Sequence, residues 1–396
     1  MTKTINLKIF AHFFKSSSSA GMLLIFCVLL SLIVANSPLA DSFKNFLTLE
    51  IGFNTESVAL RYPILLWIND GLMAIFFLMV GLEIKREIVE GELSTLRQAS
   101  LPVLAAMGGV AVPALIYFFF NHNDASTSDG WGIPMATDIA FALGILSLLG
   151  DRVPTGLKIF LAALAIVDDL IAILVIAIFY STDLHFIYLA YAGGIFALLI
   201  LFNRLGFQNI FFYILPGIVM WYFIHHSGIH ATIAGVLTAI TLPTNDTDAE
   251  SPLEKLEHFL TMPVNFIIMP IFAIANTNIT FESGMVEGLS GNLGIGIILG
   301  LFLGKPIGIF LMSWLSVKLD LATLPDNTNW GHVVGLGLLA GIGFTMSIFI
   351  ALLSFDKVEL QTEAKFAILI ASVISGICGY LTLHYCNKRK NKTIRS

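Results

Sequence analysis

The sequence has little charge and little cysteine for its length. Only 12% of its 396 residues are Asp, Glu, Lys or Arg, whereas 57% are apolar, and the mean hydropathy is +0.86. A water-soluble protein of this size needs more polar residues to cover its surface, so that class is excluded. Cys27, Cys378 and Cys386 form no Cys-x-x-Cys pair, which argues against a thiol redox centre and a structural zinc site.

Apolar runs are abundant instead, and many have the roughly 17 to 25 residues that an α-helix needs to cross a hydrocarbon layer. Read between clusters of charged and turn-forming residues, the sequence predicts twelve approximate spans: 17–36, 63–84, 99–120, 131–149, 157–180, 186–202, 208–221, 223–241, 254–275, 292–313, 333–354 and 364–386. The first run resembles a signal peptide, but eleven further spans favour its retention. We predict an all-α polytopic protein in which residues 1–396 form one multi-pass membrane domain.

The distribution of lysine and arginine predicts the orientation in the bilayer. Twelve spans place both termini on one side, and the termini with the loops of that side carry sixteen of the 21 Lys and Arg residues. The loops of the other side carry only four. By the positive-inside rule, both termini are predicted to be cytoplasmic.

One external loop has a pattern of its own. Residues 47–61 alternate apolar and polar side chains on either side of Asn54, Thr55 and Glu56, which predicts a small β-hairpin. Such a hairpin is either a surface flap or an edge that pairs with a second subunit. The sequence leaves both interpretations open.

Four ionisable residues fall inside predicted spans: Asp138, Asp168, Asp169 and Lys305. A charge at the centre of a spanning helix costs about 2.5 to 3.5 kcal/mol on insertion scales, so each of them needs a reason. Asp168 and Asp169 are neighbours on one helix and can border the same cavity, where we expect them to titrate as a coupled unit. Carboxylates, hydroxyls and free backbone carbonyls are the ligands that a small hard cation such as Na⁺ requires.

Lys305 is the expected counter-ion of one aspartate. The alternative is that this pair is only a structural salt bridge. The segment Gly304-Lys305-Pro306 is not a phosphate-binding loop, because that pattern needs glycine at position 299 and Ser or Thr at position 306. Nothing else in the chain resembles a nucleotide-binding domain, so a gradient is expected to supply the energy.

Two spans carry helix-breaking residues. Residues 130–138 contain two glycines and a proline before Thr137 and Asp138, and residues 335–347 contain four glycines before two hydroxyl residues. Unwound backbone at membrane depth persists only where it is buried in protein or lines a cavity. We expect Asp138 to balance the positive N-terminal ends of half-helices, and Gly341 and Gly343 to let two chains cross closely. Ordinary glycine-mediated helix packing is the alternative for the second span.

Spans three to five and ten to twelve each have a broken helix in the middle. The aspartate doublet lies in one set and Lys305 in the other. Since seven spans separate the starts of the two sets, they enter the membrane from opposite sides. The sequence therefore predicts an inverted repeat, which is typical of secondary transporters.

A group of charged residues is predicted at the cytoplasmic mouth. Glu83, Arg86 and Glu87 share a helical face by their spacing, and Glu257 and His258 begin span nine on the same side of the membrane. Acidic groups with an imidazole can attract cations and respond to pH near neutrality. Solvated helix ends with interfacial ion pairs would give the same pattern.

Several of these segments resemble the NhaA family of Na⁺/H⁺ antiporters. They are WINDGLMA at 67–74, ATDIAFALG at 136–144, LAIVDDL at 164–170, GKP at 304–306 and GIGFTMSIF at 341–349. The resemblance runs from about residue 12 to residue 388. It implies a transporter, not an enzyme, located in the cytoplasmic (inner) membrane of a bacterium.

The resemblance also implies roles for individual residues. Asp169 is expected to be the main Na⁺ ligand, Asp168 to take part in proton exchange and pair with Lys305, and Thr137 and Asp138 to belong to the helix crossing. It further implies a homodimer joined partly by the hairpin. It assigns the pH response to the five mouth residues, but some members have a histidine where this chain has Thr261, so the pH threshold does not carry over.

Together these features predict alternating-access exchange of cytoplasmic Na⁺ or Li⁺ for external H⁺, electrogenic and pH-regulated. Beyond the lipid bilayer and a second copy of the chain, no partner is expected: no cofactor, nucleotide or nucleic acid. Two other classes of protein are alternatives. A passive cation channel would move ions without proton coupling. An intramembrane aspartyl protease needs two facing carboxylates, which Asp138 could complete with Asp168 or Asp169.

Overall fold

The computed structural model describes residues 7–55, 59–150, 153–181, 184–245, 250–281 and 284–393. Helices dominate these residues, and the only strands among them form one small hairpin. In chain order the elements are α1 (Leu7–Ala35), α2 (Ala40–Thr48), β1 (Glu50–Ile51), β2 (Tyr62–Pro63), α3 (Ile64–Val89), α4 (Leu96–Asn121), a 3₁₀ helix (Ser128–Met135), α5 (Ile139–Leu148), α6 (Thr155–Phe179), α7 (Phe186–Arg204), α8 (Phe211–His225), α9 (Ile233–Thr241), α10 (Pro252–Asn276), α11 (Met285–Gly288), α12 (Asn292–Lys318), α13 (Trp330–Ala340), α14 (Phe344–Ser354) and α15 (Val358–Thr393).

The described residues include eight helices that are long and apolar enough to span a membrane. Two sharply bent pairs raise the number to ten if each pair counts as one span. They are residues Ser19–Ala35 with α2, bent by 108°, and α13 with α14, bent by 47°. These lengths and compositions agree with the prediction of a multi-pass membrane protein.

The predicted span 223–241 is wrong as a continuous helix. Helix α8 continues to His225, and Gly228 then adopts a positive φ of +85° in a turn that precedes α9. Helix α9 has nine residues and is about 14 Å long, which is less than half of a hydrocarbon layer. Hydropathy did not detect the turn because apolar residues surround it.

Two compact units emerge from the contacts within the described chain. One comprises the described parts of Met1–Phe26, Thr95–Asp168 and Glu282–Ser396, and the other those of Cys27–Ser94 and Asp169–Phe281. Helix α6 passes from the first unit to the second between Asp168 and Asp169. Both broken helices lie in the first unit, and the hairpin lies in the second.

The first unit depends on a close approach of α4 and α12. A Cβ atom added to Gly108 or to Gly308 would overlap the backbone of the other residue.

We expect Gly308→Ala to destabilise the fold by about 1 to 3 kcal/mol, since backbone cannot move aside as a side chain can. Thermal unfolding of the purified protein would measure the loss. Gly193→Ala in α7 is the matched control because nothing lies within 4 Å of its added methyl group, and equal melting temperatures would contradict the prediction.

The predicted hairpin is confirmed in the second unit, although its strands are short. Glu50 pairs with Pro63 and Ile51 with Tyr62 in antiparallel register, while Glu56 lies outside the described residues. The indole of Trp67 donates a 3.0 Å hydrogen bond to Ile51 O. The hairpin is thereby tied to the start of α3.

Prolines explain two widened turns in the helices. Within α10 and α12, the π-helical turns Val264–Ile268 and Gly300–Gly304 end two residues before Pro270 and Pro306. Proline cannot donate to the carbonyl four residues earlier, and its ring crowds that carbonyl. Lys305 therefore follows directly on a widened turn, which the sequence analysis did not predict.

Candidate functional site

The first predicted break lies between the 3₁₀ helix and α5. The 3₁₀ helix contains Pro134 and ends at Met135, and the backbone of Ala136 is extended. Asp138 is the N-cap of α5, and its Oδ1 accepts a 3.1 Å hydrogen bond from Phe141 N. The break that the sequence predicted at 130–138 is confirmed.

The second break separates α13 from α14 at residues 341–343. Glycine is favoured there by close neighbours: a Cβ on Gly341 would lie 2.4 Å from Leu301 O of α12, and one on Gly343 would lie 2.1 Å from Ser347 Oγ. Gly341 is also the C-cap of α13, and Gly343 is the N-cap of α14. Both glycines have right-handed backbone angles that any residue can adopt, so the close neighbours, and not the backbone conformation, favour glycine at these positions.

The two breaks cross and satisfy each other's backbone. Asp138 N donates to Ile342 O at 2.6 Å. On the neighbouring half-helices, Ser347 Oγ donates to Ile133 O at 2.7 Å. Each bond joins one broken helix to the other, so polar groups freed by one break find partners at the second.

Asp138 caps two half-helices at once. Its Oδ1 accepts from Phe141 N in the first turn of α5. Its Oδ2 accepts from Thr345 N at 3.1 Å and from Thr345 Oγ1 in the first turn of α14. The side chain is buried, and a carboxylate there offsets the positive ends of both helices. One side chain thus joins the N-terminal ends of α5 and α14.

We expect Asp138→Ala to lower the free energy of unfolding by about 3 kcal/mol or more. The substitution leaves the amides of Phe141 and Thr345 buried without their acceptor, and each such group costs about 1 to 3 kcal/mol. Asp138→Asn, which keeps one carbonyl oxygen, should lose less. Chemical or thermal unfolding in detergent measures the difference, and equal losses for the two variants would contradict the capping role.

Asp168 and Lys305 form a fully buried ion pair in the first unit. Lys305 Nζ contacts Asp168 Oδ2, and both side chains are 0% exposed. The predicted counter-ion is therefore in place. Asp168 Oδ1 is buried as well and has no hydrogen-bond partner among the described residues.

Thr137 connects this ion pair to the crossing. Its Oγ1 lies 2.7 Å from Asp168 Oδ2 and 2.9 Å from Ala340 O, the last residue of α13. A hydroxyl has a single hydrogen, so the two acceptors share it. Any change in the charge of Asp168 therefore alters how Thr137 holds the end of α13.

Asp169 follows Asp168 on α6 and belongs to the second unit. Its side chain is 3% exposed. Within the described residues, no group of three or more His, Cys, Asp and Glu side chains is arranged to hold a metal ion.

The predicted mouth residues are only partly brought together, all within the second unit. Arg86 lies 3.3 Å from Glu257 and 3.2 Å from Glu87, and Glu83 interacts electrostatically with Glu257. His258 Nδ1 lies 3.3 Å from Glu250, both side chains being about half exposed, and His258 also interacts electrostatically with Glu257. The nearest carboxylate to the imidazole therefore belongs to a residue outside the predicted group.

A further carboxylate adjoins this group in the loop between α3 and α4. Glu92 N donates to Glu87 Oε2 at 2.9 Å. Partial burial, and then the nearby Glu87, raise the pKa of Glu92. Sequence spacing did not point to Glu92 because it lies beyond the helical face that Glu83 and Glu87 share.

Comparison with known proteins identifies the family. The family model described as Na⁺/H⁺ antiporter 1 matches residues 11–383. The chain belongs to this Na⁺/H⁺ antiporter family. Among similar proteins, Na⁺/H⁺ antiporter NhaA 2 of Flavobacterium johnsoniae is 72% identical over 392 residues, which cover 99% of this chain and 96% of the relative.

Two further relatives of this antiporter family are similar over nearly their whole length. NhaA of Flavobacterium psychrophilum is 50% identical over 380 residues, covering 96% of this chain and 97% of the relative. NhaA of Escherichia coli is 48% identical over 372 residues, covering 93% and 96%. The resemblance noted from the motifs is confirmed. Since antiporters are transporters, the prediction that this protein is not an enzyme is confirmed too.

Proposed function

We propose that this chain exchanges cytoplasmic Na⁺, or Li⁺, for external H⁺ by alternating access in a bacterial cytoplasmic membrane, and so serves sodium and pH homeostasis. The observation that carries the proposal is the buried Asp168–Lys305 pair beside the helix crossing, in a chain of the Na⁺/H⁺ antiporter family. A buried ion pair adds little stability on balance, so its presence at membrane depth favours a functional reason.

In this proposal Asp169 and Asp168 bind the cation, and protons displace it. Asp168 Oδ1 supports the assignment because it has no hydrogen-bond partner in the described protein, while its Oδ2 is held by Thr137 and Lys305. Asp138, Gly341 and Gly343 keep the crossing in place. Exchange of two protons for one Na⁺ would move net charge, so that the membrane potential drives Na⁺ out with about 2.3 kcal/mol per charge per 100 mV.

We further propose twelve spans, with an inverted repeat of spans three to five and ten to twelve in one membrane domain. The first unit supports the repeat, since it contains a broken helix from each set. Both termini are proposed to be cytoplasmic, and the hairpin to join two copies in a homodimer. We expect no cofactor, nucleotide or nucleic acid.

Everted membrane vesicles that contain the protein provide the test. Addition of Na⁺ should release protons from acidified vesicles between about pH 6.5 and 8.5, and the response should exceed that of vesicles without the protein. Na⁺ flux without proton movement would instead support a passive channel. Absence of any response from inserted protein would contradict the proposal.

The proposed pH response has its own test in the group formed by Arg86, Glu87 and Glu257. Glu257→Gln removes the carboxylate that Arg86 faces, so we expect the pH of half-maximal exchange to shift while exchange at the optimal pH persists. Glu250→Gln is the matched control, because it removes only the exposed partner of His258. An unchanged pH profile in Glu257→Gln would exclude this group as the sensor.

A further inference from the structure

Helix α15 contributes a hydroxyl to the second break. Phe344, the first residue of α14, donates its backbone N–H to Ser372 Oγ at 3.2 Å. Ser372 lies in the middle of α15 and is 6% exposed. The first N–H groups of any helix lack partners within that helix, and Ser372 satisfies one that is buried.

Ser372 differs in its hydrogen-bond partner from two other hydroxyl residues of the same helix. In the same helix, Thr362 Oγ1 donates to Val358 O and Thr382 Oγ1 to Cys378 O, each to the carbonyl four residues earlier. That is the usual bond of a hydroxyl residue inside a helix. Ser372 instead accepts a bond from a different helix.

A continuous chain of contacts within the first unit joins Ser372 to the ion pair. Ser372 accepts from Phe344 N, and the next residue, Thr345, donates its backbone N–H to Asp138 Oδ2. Asp138 N in turn donates to Ile342 O. Ala340 lies two residues before Ile342. Its carbonyl oxygen and Asp168 Oδ2 are the two acceptors that share the hydroxyl hydrogen of Thr137. Ser372 thus fixes the α14 end of the break at Phe344. The α13 end, at Ala340, holds Thr137 next to Asp168.

We propose that Ser372 is a positioning residue for the exchange site. It anchors the N-terminus of α14, so that Asp138 and Thr137 keep the geometry in which the doublet binds its cation. This inference rests on the proposed function. A second serine, Ser375, lies 0% exposed three residues further on and has no hydrogen-bond partner among the described residues.

The two serines give a matched comparison in everted vesicles, with KM for Na⁺ and maximal rate measured separately across pH. Ser372→Ala should raise KM by roughly threefold to tenfold, the range expected from one lost hydrogen bond, with a smaller change in maximal rate. Ser375→Ala should leave KM unchanged, since no bond is lost. Ser372→Cys keeps the volume but offers only a weak acceptor, so it should resemble Ser372→Ala.

Several outcomes would overturn the inference. One is a wild-type KM for Na⁺ in Ser372→Ala or in Ser372→Cys, at equal amounts of inserted protein. Another is an equal rise of KM in Ser375→Ala, which would indicate loosened packing of α15. If Ser372→Ala does not accumulate in the membrane, Ser372→Cys makes the same comparison. Failure of the proposed function is distinct, because it would remove Na⁺-driven proton movement from the wild type itself.

Discussion

Asp169→Asn should abolish Na⁺-driven proton movement in everted vesicles while the protein still inserts in normal amounts. Asparagine keeps the shape of the side chain but removes the charge that binds a cation and the group that binds a proton. Loss of a charged partner at depth is worth about 3 to 5 kcal/mol, which corresponds to a decrease of at least ~100-fold in exchange. The measurement compares initial rates at equal amounts of inserted protein.

A second aspartate of the same unit provides the control for Asp169. Asp70 lies in a π-helical turn of α3, and its Oδ2 lies 3.2 Å from Nδ1 of His225, a residue that is not assigned to exchange. Asp70→Asn should therefore retain exchange. Normal exchange in Asp169→Asn would remove this residue from the proposed site. Equal loss in both variants would show that any change of charge in this unit disrupts transport.

The sequence was sufficient for features that depend on local composition. Long apolar runs predicted most of the spanning helices, and clustered glycine and proline predicted both breaks. Asp138 could be assigned to half-helix ends because it directly follows a break, and Lys305 to Asp168 because a buried charge needs an opposite one. Each of these features can be predicted from the composition of one segment, or from the opposite charges of two segments.

Features that depend on helix rotation could not be predicted in the same way. Which of the two serines in α15 faces Phe344 N is decided by packing, and no local pattern distinguishes Ser372 from Ser375. Likewise, spacing placed His258 beside Glu257 in sequence, but its side chain pairs with Glu250. Pro306 is the one local signal for the widened turn before Lys305, and proline alone does not specify whether a helix kinks, ends or widens there.

Neutralising Asp168 and Lys305 separately and together should distinguish a structural salt bridge from a transport pair. Asp168→Asn leaves the lysine buried without its counter-ion, and Lys305→Gln does the same to the carboxylate. Each single variant should lose about 3 to 5 kcal/mol of stability. The double variant, with no buried charge at either position, should recover most of that loss in thermal unfolding.

Transport by the double variant should then report what the pair contributes beyond stability. If Asp168 or Lys305 carries the second proton, any exchange that remains must run through Asp169 with one proton per Na⁺. It would move no net charge and would no longer respond to the membrane potential, which otherwise supplies about 2.3 kcal/mol per charge per 100 mV. Current measurements on reconstituted membranes, beside proton movement in vesicles, separate the two cases. Charge movement equal to the wild type in the stable double variant would mean that this pair serves the fold alone.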